Sequence, residues 1–416
     1  MTVSATLAIN EEVARRRRAG TKTVALGFGE AGIPVHPLLT AALAEAAPLA
    51  GYGPVAGIPE VRTAAAGYWA RRGLPTEAEQ VVAAPGSKAL LYALLRTVRG
   101  AVALPRPSWV GYAAQAALLG LTTHAVPTRF GEGGVPDPDA LDRAAAAARA
   151  EGSPLGAVIL TSPDNPTGTL ATPETLRALC AVADRHDLLI ISDEIYRDLV
   201  HDPATPVSSP AELAPDRTVI TSGLSKNLAL GGWRLGVARF PDTPAGRARR
   251  DQVIAIGSEI WSAPAHPVQC AAAFAFTEPD QLRARITASR QLHRRVVTAV
   301  AEEFCQAGIP VPAPKAAFYL YPDFSPHRDH LHRAHGISTD ADLAQTLLRD
   351  HGIATLPGAA FGDRPEALRL RIATSQLYGT DDPQRTEALN SPDPTALPWI
   401  AGQLDELRAA LAAITQ

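Results

Sequence analysis

The chain has 416 residues, too many for one ordinary domain, so a large domain with a smaller companion is the expected organisation. Hydrophobic residues make up 46% and charged residues 19%, enough apolar material for a sizeable core, while a formal net charge of −3 gives no electrostatic footprint for nucleic acid or an anionic membrane as partner. The three cysteines, Cys180, Cys270 and Cys305, are scattered without a CxxC pair, so neither a disulfide framework nor a metal site is expected.

Residues 1–50 read as an arm and a helix followed by the extended piece "TVALGFGE". The run Arg15–Arg18 follows Glu11 and Glu12 and reads as a solvated helix face. No signal-peptide pattern opens the chain and no apolar run is long enough to span a membrane, so a cytoplasmic protein is the expectation. From about residue 80, short β-rich runs alternate with Ala/Leu-rich helical runs. The predicted strands are "VVAA" (81–84), "AVALP" (101–105), "AVILTS" (157–162), "LLIISDEIY" (188–196), "TVITSG" (218–223) and "RLGVARF" (234–240), with helices such as 87–98 and 173–186 between them. Nearly continuous apolar strands separated by helices imply a buried, mostly parallel sheet, which binds ligands at the carboxyl ends of its strands. After about 290 the pattern changes to a long helix (280–306), "FYLYPDF", a helix at 338–350, "ALRLRIATS" and a last helix near 400–414. The polar segment "YGTDDPQRTEALNSPDP" between Leu377 and Pro398 reads as a loop, a lid or surface decoration. The expectation is an α/β fold: 51–290 form a large domain around a mostly parallel central sheet flanked by helices, 291–416 a smaller α+β domain with an insertion at about 377–398, and 1–50 an arm and part of the small domain.

Only four lysines occur, Lys22, Lys88, Lys226 and Lys315, against a background of arginine. Lys226 stands in "SGLSKNLALGGWRLG", directly after a predicted strand. A lysine amine can lose its proton and attack a carbonyl, whereas a guanidinium cannot. Lys88 opens a helix after Gly86 and Ser87, where free backbone N–H groups suit a phosphate; Ser87 also fits a plain N-cap. Asp193 and Tyr196 close "LLIISDEIY", and a carboxylate after so apolar a run needs a cation or strong hydrogen bonds to stay ionised, a structural salt bridge being the simpler role. "SPDNPTG" puts Asn165 at another strand end.

Together these pieces resemble the class I/II aminotransferases, the pyridoxal-phosphate (PLP) enzymes of fold type I. The resemblance spans roughly residues 20–376 and the last helix. "GLSKNLALGGWRLG" matches the family's lysine signature, and "NPTG", "SDEIY", "PSWVGY" and "YGPVAGIPEVR" match further blocks in order. It implies that Lys226 carries PLP as a Schiff base and serves as general base, that Asp193 pairs with the pyridine nitrogen, and that Tyr196 and Asn165 bond the ring's phenolic oxygen. By the same resemblance Trp109 would stack on the ring, and Arg234 would hold the phosphate with the backbone of Gly86, Ser87 and Lys88. Tyr52 resembles the tyrosine that reaches the phosphate of a neighbouring subunit, which implies a homodimer with shared sites. Arg371 matches the arginine that grips the substrate α-carboxylate, with Arg369 its rival on the same strand face, and Gly29 matches the glycine near bound substrate.

Three departures stand out. The family's serine three residues before the lysine is Gly223 here, with Ser222 or Ser225 as replacement. "GEPDF" reads "GEAGI" from Gly29 to Ile33. The insertion sits beside the carboxylate arginine, and no second arginine is evident for a dicarboxylic substrate. Amino transfer from an α-amino acid to a 2-oxo acid is the leading expectation. β- or γ-elimination, replacement or oxidation, like the chemistry of aminocyclopropane-carboxylate synthase, is the alternative. A non-catalytic sensor of a transcription regulator is disfavoured by the intact Lys226 and Asp193 and by the short stretch ahead of "TVALGFGE".

Overall fold

The computed structural model describes residues 4–416. Its strands in chain order are β1 (Val24–Ala25), β2 (Val81–Ala84), β3 (Ala101–Arg106), β4 (Thr123–Arg129), β5 (Glu132–Pro136), β6 (Leu155–Thr161), β7 (Leu189–Asp193), β8 (Thr218–Gly223), β9 (Gly236–Arg239), β10 (Tyr319–Leu320), β11 (Ile353–Ala354), β12 (Leu356–Pro357) and β13 (Leu370–Ala373). Eight of them form one sheet in the order β2-β9-β8-β7-β6-β3-β4-β5. The run β8-β7-β6-β3-β4 is parallel, as expected; β9 is antiparallel to both its neighbours, and β5 to β4.

The apolar runs are explained by burial on both faces. Ile159, Ile191 and Val219 pack with Leu90, Leu91 and Leu94 of the helix Ser87–Arg96, while Val158, Leu160 and Ile190 pack on the other face with Leu141, Leu176 and Leu179. With helices on both sides, no strand face is left for polar residues. β4 and β5 were not anticipated. β4 alternates exposed and half-buried positions, and β5 is rich in glycine, so neither carries the apolar signature. Two boundaries also move. The strand ends at Asp193, leaving Tyr196 in the turn beyond it, and β9 begins at Gly236, leaving Arg234 outside.

A second apolar core is built by the 27-residue helix Asp280–Gln306, the helices Asp340–His351 and Pro398–Thr415, and the sheet β10-β13-β12. Val296, Val300, Phe304, Phe324, Ile372, Leu407 and Leu411 meet there, with Leu26 from the N-terminal part of the chain. A buried polar chain beside it runs from Ser289 to His293 (3.0 Å) and on to the Tyr378 hydroxyl (2.7 Å); burial holds His293 neutral, its pKa pushed down to about 3.

The polar segment 377–398 is not an irregular loop. It folds as a helix, Asp382–Asn390, capped at its N-terminus by Asp381, whose side chain accepts from Gln384 N. Ala388 and Leu389 seat it on the second core. So narrow an apolar contact leaves little periodic signal in the sequence. Among the described residues, no helix is long and apolar enough to cross a membrane.

Candidate active site

Strands β6, β7 and β8 end side by side, with Asp193 in register between Thr161 and Thr221. Their carboxyl ends open into a cavity of about 570 Å³ that also receives residues from β10 and β13. Ser87, Lys88, Trp109, Asn165, Asp193, Tyr196, Ser225, Lys226, Arg234, Gly29 and Arg371 all line it, so the sequence-predicted residues converge on one space. Tyr52 and Gly86 do not line it; the Tyr52 side chain is 97% exposed, between Gly51 and Gly53.

Lys226 Nζ donates to Gly29 O at 2.5 Å and lies 5.9 Å from the centre of the Tyr196 ring. The Tyr196 hydroxyl receives Asn165 Nδ2 at 3.4 Å and shares a 2.9 Å hydrogen bond with the Tyr319 hydroxyl. Asp193 has no cationic partner. Tyr112 donates to its Oδ2 at 2.9 Å, while Oδ1 is buried without a partner. Burial raises the Asp193 pKa to about 6, against the lowering effect of the Tyr112 bond. The salt-bridge role for this carboxylate is thereby set aside.

The helix Ser87–Arg96 starts without a side-chain cap, and Gly86 rather than Ser87 occupies the N-cap position. Gly86 has φ +89°, and a Cβ there would run into the Arg234 guanidinium. The glycine therefore serves both the turn and the approach of the arginine. Arg234 itself holds a left-handed conformation, φ +55°. Of the two candidate replacement serines, Ser225 lines the cavity, whereas Ser222 is buried within β8.

Of Arg371 and Arg369, only Arg371 lines the cavity. Arg369 is engaged by Asp323 and Asp363, each at 3.0 Å, outside the cavity. Arg371 is 1% exposed, lies between the Tyr319 and Phe361 rings at 5.3 and 5.2 Å, and donates to Gly27 O; its Nε has no partner. Burial without a carboxylate weakens its hold on its proton, a cost that an incoming anion removes. Gly29 fits against this pair so closely that a Cβ would meet the Tyr319 hydroxyl and Arg371.

Sequence reasoning missed Tyr112 and Tyr319. Tyr112 stood inside the quoted "PSWVGY", three residues after Trp109 and so on the same helical side, its hydroxyl also 2.5 Å from Thr161 Oγ1. It also took Lys88 only for its backbone. The Lys88 side chain lines the cavity, its ammonium 5.3 Å from the Trp109 ring centre, and burial together with the nearby Arg234 lowers its pKa.

The model of the family described as aminotransferase class I and II matches residues 26–378. The chain belongs to that family. A probable aspartate/prephenate aminotransferase of Thermus aquaticus is 33% identical to this aminotransferase over 385 residues, covering 90% of this chain and 94% of the relative. An aspartate aminotransferase of Geobacillus stearothermophilus is 33% identical over 390 residues, covering 90% and 93%. Among solved structures, an aspartate aminotransferase from Thermus thermophilus with maleate superposes with a TM-score of 0.80 at 29% identity, covering 94% of this chain and 96% of that one. The fold is therefore that of the type I enzymes, and amino-group transfer is the reaction class.

Proposed function

We propose that this aminotransferase holds pyridoxal phosphate in the cavity and moves the amino group of an α-amino acid with a second acidic group to a 2-oxo acid. One observation carries the reading: a lysine, Lys226, and a buried aspartate, Asp193, line the same cavity, and one oxygen of that carboxylate, Oδ1, has no hydrogen-bond partner. The residues fit the cofactor. An orphaned, deeply buried carboxylate oxygen suits a protonated ring nitrogen, and an uncapped helix start beside a guanidinium suits a phosphate.

When bound, the cofactor supplies a carbonyl that an amine can capture and a ring that takes up electron density from the substrate. Lys226 Nζ would hold it, and the same amine, when free, would take the proton from the substrate Cα. Asp193 would face the ring nitrogen, with Tyr112 keeping that carboxylate oriented through Oδ2. Tyr196 and Asn165 would donate to the ring oxygen, and Trp109 would cover the ring. Arg234, the Ser225 hydroxyl and the N–H groups of Gly86, Ser87 and Lys88 hold the phosphate. Arg371 takes the α-carboxylate in a two-pronged grip, beside Gly29. Tyr52, exposed and between glycines, reaches the phosphate in a second copy of the chain, which makes the working unit a homodimer.

The Lys88 ammonium supports the acidic side chain of the substrate. It lines the cavity, and no carboxylate lies within ion-pair distance of it among the described residues. The similar proteins bear names with aspartate and prephenate, and one neighbour was solved with maleate, a dicarboxylate. A search for a second arginine overlooks this lysine.

The test is a half-reaction. The loaded enzyme is mixed with single amino acids without oxo acid, and products are identified by mass spectrometry. One equivalent of oxo acid followed by a stop is expected, with aspartate or glutamate converting faster than alanine. Lys88→Ala is expected to lower kcat/KM for the acidic donors by about 10- to 100-fold and leave alanine unchanged. Arg371→Ala is expected to raise KM for every donor by roughly 100-fold, whereas Arg369→Ala leaves KM in place. Continued turnover with ammonia release, in place of the stop, points to elimination or oxidation and overturns the reading.

A further inference from the structure

Asn227 follows Lys226 directly, and Asp198 lies two residues beyond Tyr196. Their side chains meet: Asn227 Nδ2 donates to Asp198 Oδ2 at 2.8 Å. A single hydrogen bond thus joins the loop that carries the amine to the turn that carries the phenol. Neither side chain lines the cavity.

Asp198 is fixed by three further hydrogen bonds, from two residues. The Tyr68 hydroxyl donates to Oδ2 at 3.1 Å, and Arg72 donates to Oδ1 through Nε at 3.2 Å and Nη2 at 2.8 Å. Arg72 lies 3.5 Å from the centre of the Tyr68 ring and also reaches both oxygens of Glu278, which Arg71 holds as well. The carboxylate is only 10% accessible, so these bonds are poorly screened and hold their geometry. Tyr68 belongs to the helix Pro59–Ala70, and Glu278 stands just ahead of the helix Asp280–Gln306. Asp198 is therefore tied to the helical frame.

Asn227 has one way to sit there. Its amide oxygen is buried without a partner, so the donor bond to Asp198 is the hydrogen bond its side chain makes. Turning the amide over would set its oxygen against the carboxylate. Lysine is a long, flexible side chain, and the position of its Nζ depends on where the loop holds its Cα.

We propose that Asp198 and Asn227 are positioning residues for amino transfer, a tether that sets Lys226 relative to Tyr196. This rests on the roles given to those two residues above. The pair acts through the loop and touches neither substrate nor cofactor.

The test compares Asn227→Ala, which cuts the tether and leaves the Arg72–Asp198–Glu278 pairing, with Glu278→Gln, which weakens that pairing and leaves the tether. Asn227→Asp, which sets a carboxylate against Asp198, is a second cut. Amide hydrogen exchange over residues 224–230 is read in the cofactor-free and loaded proteins, together with the pH midpoint of cofactor absorbance and kcat and KM in the loaded protein. Both Asn227 variants are expected to exchange about tenfold faster in that loop, to move the absorbance midpoint by about half a pH unit, and to lose about tenfold in kcat with KM little changed. Glu278→Gln is expected to lower Tm while midpoint, loop exchange and kcat stay at wild-type values. Asn227 variants that exchange, titrate and turn over like wild type overturn the tether, and so does Glu278→Gln if it moves the midpoint as far. A wild-type protein that never gains the cofactor absorbance overturns the cofactor reading instead, and the exchange measurement in the cofactor-free protein still decides the tether.

Discussion

Lys226→Ala protein is expected to bind pyridoxal phosphate without a covalent link and to lose roughly four orders of magnitude or more in kcat, because the attachment point and the base for the Cα proton are removed together. Borohydride reduction followed by peptide mass spectrometry reads the first effect: wild type carries the reduced cofactor on the Lys226 peptide and the variant carries none. Lys88 is the control, being the other lysine in the cavity. Lys88→Ala keeps the adduct. Lys226→Ala protein that still forms a reducible adduct, or turns over at more than about 1% of the wild-type rate, sinks the assignment.

Replacing Asp193 should produce the second large effect, with a sign that depends on the cofactor. In the loaded enzyme, Asp193→Asn is expected to lower kcat by about 10² to 10³-fold, since a neutral amide does not keep the ring nitrogen protonated. In the unloaded chain the burden reverses. The folded pKa of about 6 lies above the ordinary value of 3.8, so the folded state holds this proton more tightly than the unfolded state does. Wild type therefore loses stability relative to Asp193→Asn as pH rises from about 4 to about 6, by roughly 2–3 kcal/mol, and the difference stays level above that. Chemical unfolding of both proteins across this range measures it. A cation at the ring nitrogen stabilises the ionised carboxylate, so the loaded wild type should not show the loss. An identical loss with and without cofactor would mean that Asp193 does not meet the ring nitrogen.

The strands that bring these residues together were legible because they are buried on both faces. "VVAA" and "TVITSG" appear in the structure at the expected bounds, and "LLIISDEIY" starts one residue later and stops three residues earlier than expected. β4 stayed hidden because a half-exposed strand containing Pro127 carries no apolar run. The helix Asp382–Asn390 stayed hidden because two apolar residues hold it down. In the site, Lys226, Asp193 and Arg371 were legible through motif and neighbourhood. The "RIA" context favoured Arg371 over Arg369, but the carboxylates that engage Arg369, Asp323 and Asp363, were not legible, because they meet it only after folding. Nor was the Asn227–Asp198 bond, whose partners are 29 residues apart and meet only when β7 and β8 pair. Local pattern reports which face of an element is buried; it is silent on which polar partner arrives from another part of the chain.

The antiparallel pairing of β8 with β9, with Gly223 opposite Gly236, has a consequence for how the gene can be rearranged. Lys226 and Arg234 both belong to the one excursion that leaves β8 and returns on its neighbour, so the amine and the guanidinium travel as a single hairpin. A circular permutant with new termini at the exposed β4–β5 turn, near Phe130, keeps this hairpin whole. Termini opened inside it leave both strands present and separate the two cations onto free ends.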